Sequence, residues 1–207
     1  MFDFQFQFQR DSFSLAGHLK TTSQSLALVG PSGSGKSTIL RLLLGLEKEI
    51  STHVIWNSNI LSSLPVWKRR ISYVPQQNFL FPFLSVKENI LVSKRANSSL
   101  LQEVIVNLEI ETILHKSIRH LSGGEAQRVA LARAIISQGD YYLLDEPFSA
   151  LDKTTKHSVV TYLKFFFEKR NIPYMLVCHD ERDIEYLCDE IWEIKEGKLL
   201  RLRSQSI

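Results

Sequence analysis

The chain has 207 residues, a formal net charge of +3, and 44% hydrophobic and 23% charged residues, which is ordinary for a globular protein. The positive charge includes no long basic block, so nucleic-acid binding is not indicated; the run Lys68-Arg69-Arg70 is interpreted as a solvated face rather than a binding patch. No stretch is apolar for long enough to span a bilayer, and the N-terminus lacks the features of a signal peptide. We therefore expect a cytoplasmic chain without a disulfide framework, in which Cys178 and Cys188 are small buried side chains.

Alternating residues predict an antiparallel sheet near the N-terminus. Phenylalanines occupy every second position from Phe2 to Phe8 and are separated by polar residues, which is the period of a strand with one apolar face. Residues 11–19 suit a partner strand after a turn. Residues 53–56 and 71–74 predict two further short strands, the second stopped by Pro75.

A glycine-rich segment follows the apolar run at residues 25–29 and leads into a helix-compatible run at residues 38–44. It fits the pattern G-x-x-x-x-G-K-[ST] with the residues Gly30, Pro31, Ser32, Gly33, Ser34, Gly35, Lys36, Ser37 and Thr38. Its glycines can take backbone angles that turn N–H groups inward around an anion, and the following helix adds its positive dipole end. Lys36 supplies a mobile charge for the outer phosphates, and Ser37 supplies a hydroxyl for Mg²⁺. The segment predicts a phosphate loop beside the antiparallel sheet.

Residues 78–120 differ in their pattern of residue types from the alternating segments around them. An apolar cluster around Pro82 consists of Phe79, Phe81, Phe83 and Leu84. Ser85 and Glu88 fit a reciprocal capping pair at a helix start, and apolar residues at helical spacing over residues 100–108 continue to residue 114. The segment predicts a helical lobe inserted between core strands.

The sequence Leu121-Ser122-Gly123-Gly124-Glu125 opens a strong helical pattern over residues 126–136. Ser122 and Glu125 again fit a capping box. The two glycines expose backbone N–H groups at a helix N-terminus, which predicts a second anion site. The alternative is a plain helix cap.

The remaining chain alternates strands and helices. We expect strands at residues 141–144 and 174–178, helices at residues 156–169 and 181–187, and a closing hairpin of residues 191–193 and 198–202 turned at Glu196-Gly197. Several predicted strands end in polar residues, and such ends meet at the ligand edge of a parallel sheet; these residues are Gln76, Asp145, Glu146 and His179. Asp145 suits the Mg²⁺ shell beside Ser37, and Glu146 can reach a water as general base.

These motifs resemble, in order and approximate spacing, those of the ATP-binding cassette (ABC) ATPases. The matching segments are residues 30–38, Gln76, residues 121–125, residues 143–147, residues 149–152 and His179. The resemblance implies an α/β fold: a phosphate-loop NTPase cassette with a RecA-like core, an antiparallel β subdomain and an inserted helical subdomain. On this basis we expect a single domain over residues 1–207. Residues 1–77 and 137–207 would form the β subdomain and nucleotide-binding core, and residues 78–136 the helical subdomain.

The resemblance also implies roles for individual residues. Gln76 resembles the loop glutamine that touches Mg²⁺ and the attacking water, Asp145 the metal-shell aspartate, and Glu146 the catalytic base. His179 resembles the switch histidine at the γ-phosphate. Ser122, Gly123 and Gly124 resemble the signature that binds the γ-phosphate held by a second copy, and residues 149–152 resemble the loop that crosses between the copies. The implied assembly is a head-to-tail dimer with two ATP molecules at its interface, and the implied ligands are ATP and Mg²⁺.

The chain departs from the family pattern in three places. The aromatic residue that stacks on adenine is ambiguous, since Phe8, Arg10 and Phe13 lie near the expected position; Arg10 is the candidate because a guanidinium plane can stack. The signature ends in Glu125 where glutamine is commoner. The sequence stops soon after Leu202, so we expect no appended C-terminal regulatory domain.

The resulting hypothesis is a cytoplasmic ATP-hydrolysing subunit, peripheral on the inner face of the cell membrane, that drives a separate integral membrane permease. The apolar cluster at residues 79–84 is either a groove for a short helix of that permease or ordinary lobe core. Import of a small polar solute such as molybdate, ferric iron or thiamine is favoured. Alternatives are the ATPase of an exporter or of a lipid- or lipoprotein-releasing complex, and a non-transport ABC ATPase. The transported solute and the choice between a homodimer and a heterodimer stay open at this stage.

Overall fold

The computed structural model describes residues 1–47, 51–93 and 95–204. The chain divides into two compact units, the first comprising Met1–Ile71 and Pro173–Ile207 and the second comprising Ser72–Ile172. None of the helices in the described residues combines the length and the apolar character that a membrane crossing requires.

Strands and helices alternate along the chain, as an α/β fold requires. The strands are β1 (Phe2–Arg10), β2 (Phe13–Thr21), β3 (Ser25–Val29), β4 (Ser51–Trp56), β5 (Asn59–Ile60), β6 (Ile71–Val74), β7 (Tyr141–Asp145), β8 (Tyr174–Val177), β9 (Glu190–Lys195) and β10 (Lys198–Ser204). The helices are α1 (Lys36–Leu44), α2 (Val86–Leu91), α3 (Leu101–Asn107), α4 (Gly123–Ile136), α5 (Lys153–Arg170) and α6 (Glu181–Leu187).

The first unit holds a sheet of strand order β5-β4-β1-β2-β10-β9-β3-β8. β1 pairs antiparallel with β2 and with β4, which confirms the predicted N-terminal sheet. The four phenylalanines of β1 are all buried, whereas Gln5, Gln7 and Gln9 are exposed. The two-residue period therefore places one apolar face of β1 in the core. The hairpin of β9 and β10, turned at residues 196–197, is also confirmed.

β3 lies between β8 and β9 and runs parallel to both. Leu28 is in register with Val177 of β8, so β3 and β8 end at the same edge of the sheet. Two of the loops that leave this edge are the predicted phosphate loop after Val29 and the segment that contains His179. Parallel pairing thus brings the starts of two predicted functional segments to one edge within the first unit.

In the second unit β7 is completely buried and neighbours β6 in the sheet order. Helix α4 packs against α2 and α3, and α3 also packs against α5. Both predicted capping boxes are present. Ser85 Oγ accepts from Glu88 N at 3.3 Å while the Glu88 carboxylate accepts from Ser85 N at 2.7 Å, and Ser122 and Glu125 make the same reciprocal pair at 3.2 and 2.8 Å.

The predicted continuation of the helical period to residue 114 is wrong. α3 ends at Asn107, and residues 111–113 form a separate 3₁₀ turn. Glu109 takes a left-handed φ of 51°, its N–H donates to Val106 O, and the N–H of Ile110 donates to Ile105 O, which is a Schellman ending. Arg128 Nη1 donates to the carbonyls of residues 108 and 109 at 3.0 and 2.6 Å, which satisfies the helix end.

The two compact units differ from the predicted subdomains, because the second unit contains β7 and α5 as well as residues 78–136. The two units are defined by compactness, whereas the predicted subdomains follow from the family resemblance. The boundaries at residues 77/78 and 136/137 therefore stay a prediction.

Shortening a side chain on the buried face of β1 should cost more free energy of unfolding than shortening one on the exposed face. We expect Phe4→Ala to lower the free energy of unfolding by about 3–5 kcal/mol, because a fully buried ring is replaced by a cavity. Gln5→Ala on the exposed face is the matched control and should change it by less than about 0.5 kcal/mol. Urea denaturation measures both, and equal losses would contradict the assignment of the two faces.

Candidate functional site

The predicted phosphate loop connects the end of β3 at Val29 to the start of α1 at Lys36. All of its glycines take left-handed backbone angles, with φ of 146° at Gly30, 78° at Gly33 and 103° at Gly35. Strand, loop and helix therefore follow in the order that the motif requires.

Lys36 is nearly buried and its ammonium folds back over the loop. Nζ donates to the carbonyl oxygens of Gly30 at 2.8 Å and Pro31 at 2.9 Å. A second restraint comes from Ser34 N, which donates to Pro31 O at 3.1 Å. The lysine thus holds its positive charge inside the curve of the loop, where it can meet the outer phosphates of a nucleotide.

Two glycines of the loop are required for different reasons. At Gly35 a β-carbon would lie 2.6 Å from a Leu15 methyl and 2.8 Å from Phe13 Cζ, so β2 leaves no room for a side chain. At Gly33 there is open space, and only the positive φ favours glycine. Ser34 Oγ is buried and has no hydrogen-bond partner in the described protein, which leaves a hydroxyl donor for an oxygen-rich ligand.

His179 follows β8 and is exposed. Together with Gly30 it lines a cavity of ≈ 290 Å³, whose wall also contains Val29, Cys178, Ile184 and Ile191. The structure therefore brings His179 to the base of the phosphate loop within the first unit.

The three candidates for the adenine-side residue occupy different environments. Phe8 is buried in the sheet core. Arg10 Nη2 lies 2.6 Å from Glu47 Oε2, and the Arg10 guanidinium lies 5.4 Å from the Phe8 ring centroid. Phe13 lines a cavity of ≈ 450 Å³ together with residues 31–34 of the phosphate loop and Gly197. Phe13 is thus the candidate that shares a cavity with this loop, and the role of Arg10 stays a prediction.

In the second unit Asp145 is the last residue of β7 and is buried. Tyr73 donates its hydroxyl to Asp145 Oδ2 at 3.3 Å. Glu146 follows with a left-handed φ of 51°, which is uncommon for a residue with a side chain. The main chain therefore changes direction directly after Asp145.

Gln127, which was not predicted from the sequence, fixes this turn. Gln127 is fully buried in α4, its Nε2 donates to Glu146 O at 2.8 Å, and its Oε1 accepts from Ala150 N at 2.8 Å. The side chain thereby ties α4 to the segment from Glu146 to Ala150. Its signal in the sequence is an amide among the apolar residues of the buried face of α4.

The predicted second anion site lies at the N-terminus of α4, a helix of 14 residues. Gly123 is exposed, and a β-carbon there would be in ordinary contact with Ala150 at 3.5 Å, whereas at Gly124 it would lie 3.0 Å from Ala150 O. Packing thus explains Gly124 but not Gly123. The backbone N–H of Ser122, assisted by Lys116, holds the pKa of the Glu125 carboxyl below its ordinary value, so the cap is ionised at neutral pH.

The predicted apolar cluster at residues 79–84 is a surface feature and not lobe core. Phe79, Phe81 and Phe83 are 69%, 40% and 78% exposed. Two residues that were not predicted from the sequence hold the backbone of this cluster in place. Asn89, which is fully buried, exchanges hydrogen bonds with both Phe81 N and Phe81 O at 2.8 and 3.1 Å, and Arg133 donates to Phe79 O at 2.9 Å. The three rings therefore project from a braced segment, near exposed Gln76 in the sequence.

The predicted magnesium ligands are Ser37, Gln76 and Asp145. Each has a side-chain oxygen, which is the ligand type that Mg²⁺ prefers. In the described ranges there is no group of three or more His, Cys, Asp or Glu side chains placed to hold a metal.

The family model and the two relatives named below indicate the same family. The family model described as ABC transporter matches residues 19–149. The chain is 38% identical over 183 residues to the molybdenum import ATP-binding protein ModC of Rhodopseudomonas palustris, covering 84% of this chain and 48% of the relative. It is also 38% identical over 186 residues to the Fe(3+) ions import ATP-binding protein FbpC 2 of Pectobacterium atrosepticum, covering 86% and 54%. The chain therefore spans about half the length of these curated relatives.

A solved dimeric structure of an ATP-binding cassette in a post-hydrolysis state, bound to ADP and Pi, resembles the whole chain. The TM-score is 0.85, the sequence identity is 25%, and both chains are covered completely. This match confirms the predicted cassette fold. Since the family model covers more than half of the residues and agrees with the phosphate loop and the signature described above, the chain belongs to the ABC transporter family of ATP-binding cassettes.

Proposed function

We propose that the chain binds ATP with Mg²⁺ and hydrolyses it to drive a membrane transporter. The observation that carries this proposal is the phosphate loop, in which left-handed glycines and the Lys36 ammonium form a cradle at the start of α1. Lys36 would neutralise the outer phosphates and Ser37 would meet the metal. Bound Mg²⁺ would neutralise charge on the phosphates, with Asp145 and Gln76 as further oxygen ligands.

Phe13 is proposed as the adenine-side aromatic residue, because it shares the 450 Å³ cavity with the phosphate loop. Arg10 is engaged with Glu47 at 2.6 Å, which makes it the weaker choice for stacking. Aromatic rings stack on bases without needing a particular hydrogen-bond pattern.

Glu146 is proposed as the general base that takes a proton from the attacking water. Its backbone carbonyl is held by Gln127, and its left-handed φ fixes where the side chain leaves the main chain. His179 at the base of the phosphate loop is proposed to contact the γ-phosphate. Both assignments rest on the family resemblance together with these positions.

We expect Glu146→Gln to lower kcat for ATP hydrolysis at least about 100-fold, because the amide cannot accept the proton. ATP binding should persist, and size-exclusion chromatography in ATP should show a trapped dimer. Glu168→Gln, at an exposed position on α5, is the matched control and should hydrolyse ATP normally. An unchanged rate in Glu146→Gln would remove Glu146 from this role.

The hydrolytic site is proposed to need two copies of the chain in a head-to-tail dimer. The N-terminus of α4 offers Ser122, Gly123 and Gly124, and packing gives no reason for glycine at the exposed position 123. A second copy would bring these groups to the γ-phosphate held by the first. The dimeric relative bound to ADP and Pi supports this arrangement.

Mixing two inactive variants tests the shared site. Lys36→Ala removes the cradle charge, and Gly123→Asp puts a carboxylate at the anion site without loss of packing, because acidic residues suit a helix N-terminus. Each variant alone should be inactive. In a mixture, half of the dimers pair the two variants and retain one of two sites free of both changes, so about a quarter of the wild-type rate should return. A mixture as inactive as its components would show that each site lies within one copy.

We further propose that the chain is peripheral on the cytoplasmic face of the membrane and energises a permease that imports a small polar solute. The named import functions of the two relatives support import. Those relatives handle molybdenum and iron at the same 38% identity to this chain, so likeness alone does not select the solute. The exposed rings of Phe79, Phe81 and Phe83 are the proposed contact for a short permease helix.

Phe81→Glu should release the chain from the membrane fraction, because it places a charge within an apolar contact. The intrinsic ATP hydrolysis of the purified variant should stay within about two-fold of the wild type, since Phe81 lies outside the predicted phosphate-binding motifs. Phe165→Glu on α5, where the ring is 54% exposed, is the matched control and should stay with the membranes. Quantifying the chain in washed membranes decides the matter, and full retention of Phe81→Glu would contradict the contact.

A further inference from the structure

The side chain of Cys178 makes two hydrogen bonds, both to residues on the far side of the turn that follows β8. Its Sγ accepts from Asp180 N at 3.4 Å, and its thiol donates to Asp183 Oδ2 at 3.8 Å. A thiol is a weak donor and a weak acceptor, and both of its capacities are used here. Cys178 is 6% exposed, so these bonds are largely protected from competing water.

The two bonds span His179 in the sequence. Cys178 directly follows β8, Asp180 is the N-cap of α6, and Asp183 lies in the first turn of that helix. Asp180 in turn accepts from Arg182 N through Oδ1 at 3.0 Å and from Ile184 N through its carbonyl at 3.1 Å. The thiol therefore ties the end of the strand to the start of the helix, with His179 as the single residue between two fixed points.

The same turn contributes to the wall of the 290 Å³ cavity that reaches Gly30 of the phosphate loop. Both Cys178 and His179 line that cavity. A displacement of the turn would therefore move His179 relative to the base of the phosphate loop. Errors of about 1 Å in the position of a reacting group can cost about 100-fold in rate.

We propose that Cys178 is a positioning residue for hydrolysis, and that its thiol holds the turn that presents His179 to the γ-phosphate. This inference rests on the proposed function, in which His179 contacts that phosphate. The functional requirement is a group that both accepts from Asp180 N and donates to Asp183. Serine satisfies the requirement, whereas alanine and valine do not.

Steady-state ATP hydrolysis by the full chain tests the proposal. We expect Cys178→Val and Cys178→Ala to lower kcat about ten-fold with the KM for ATP within about two-fold of the wild type, because positioning acts on the transition state. Cys178→Ser should restore at least about half of the wild-type kcat, since a hydroxyl can both accept and donate. Cys188→Val, which alters the equally buried cysteine at the far end of α6, is the matched control and should leave kcat unchanged.

A double-mutant cycle with His179→Ala identifies the route of the effect. If Cys178 acts through His179, then Cys178→Val should cause no further loss of kcat in a His179→Ala background. Losses that multiply would overturn the proposal, as would wild-type kcat in both Cys178→Val and Cys178→Ala. A melting temperature that falls in Cys178→Val and Cys178→Ala but not in Cys178→Ser, with kcat per folded molecule unchanged, would also overturn it. Normal kcat in His179→Ala would instead refute the proposed role of His179, and the positioning proposal with it.

Discussion

The hydrogen bonds from the Lys36 ammonium to the carbonyls of Gly30 and Pro31 fix the path of the phosphate loop in the first unit. A buried charge without such partners would be costly, so the loop must keep these carbonyls turned toward the lysine. That requirement selects the left-handed angles at the glycines. β2 packs tightly against Gly35 at the end of the loop. The parallel pairing of β3 with β8 then delivers the His179 turn to the same sheet edge.

The second unit uses the same device with neutral amides. Gln127 and Asn89 are both fully buried, and each bonds to the main chain of an irregular segment through its side chain. A buried amide has no water to satisfy it, so the bonded arrangement is strongly preferred over any alternative path of the loop. Glu146 can therefore keep an uncommon φ, and Phe81 can stay exposed on a fixed backbone. The side-chain hydrogen bonds of Gln127 and Asn89 offset the cost of the backbone strain at Glu146 and of the apolar exposure of Phe81.

Regular repetition and local capping were readable from the sequence, whereas long-range support was not. The two-residue period around Phe4 and the pair Ser122/Glu125 are set by neighbours within a few residues, and both predictions are confirmed. The end of α3 was missed because the apolar spacing continues through Ile110 while the backbone reverses at Glu109, a residue without the usual glycine signal. Gln127 was missed because its partners lie 19 and 23 residues away in the chain. The sequence pattern reports which residues are buried more readily than what they bond to.

Glu146 and His179, two of the residues proposed for chemistry, differ in their setting from the residues that support them. Glu146 and His179 stand on irregular segments after strands, where a side chain has freedom to meet a ligand. Gln127 and Cys178, by contrast, are buried and direct their hydrogen bonds at the main chain beside those segments. A side chain on such a segment is not held in place by a regular helix or strand on both sides. Rigid presentation must then come from the backbone on either side, and only a buried partner with two bonding capacities can hold both sides at once.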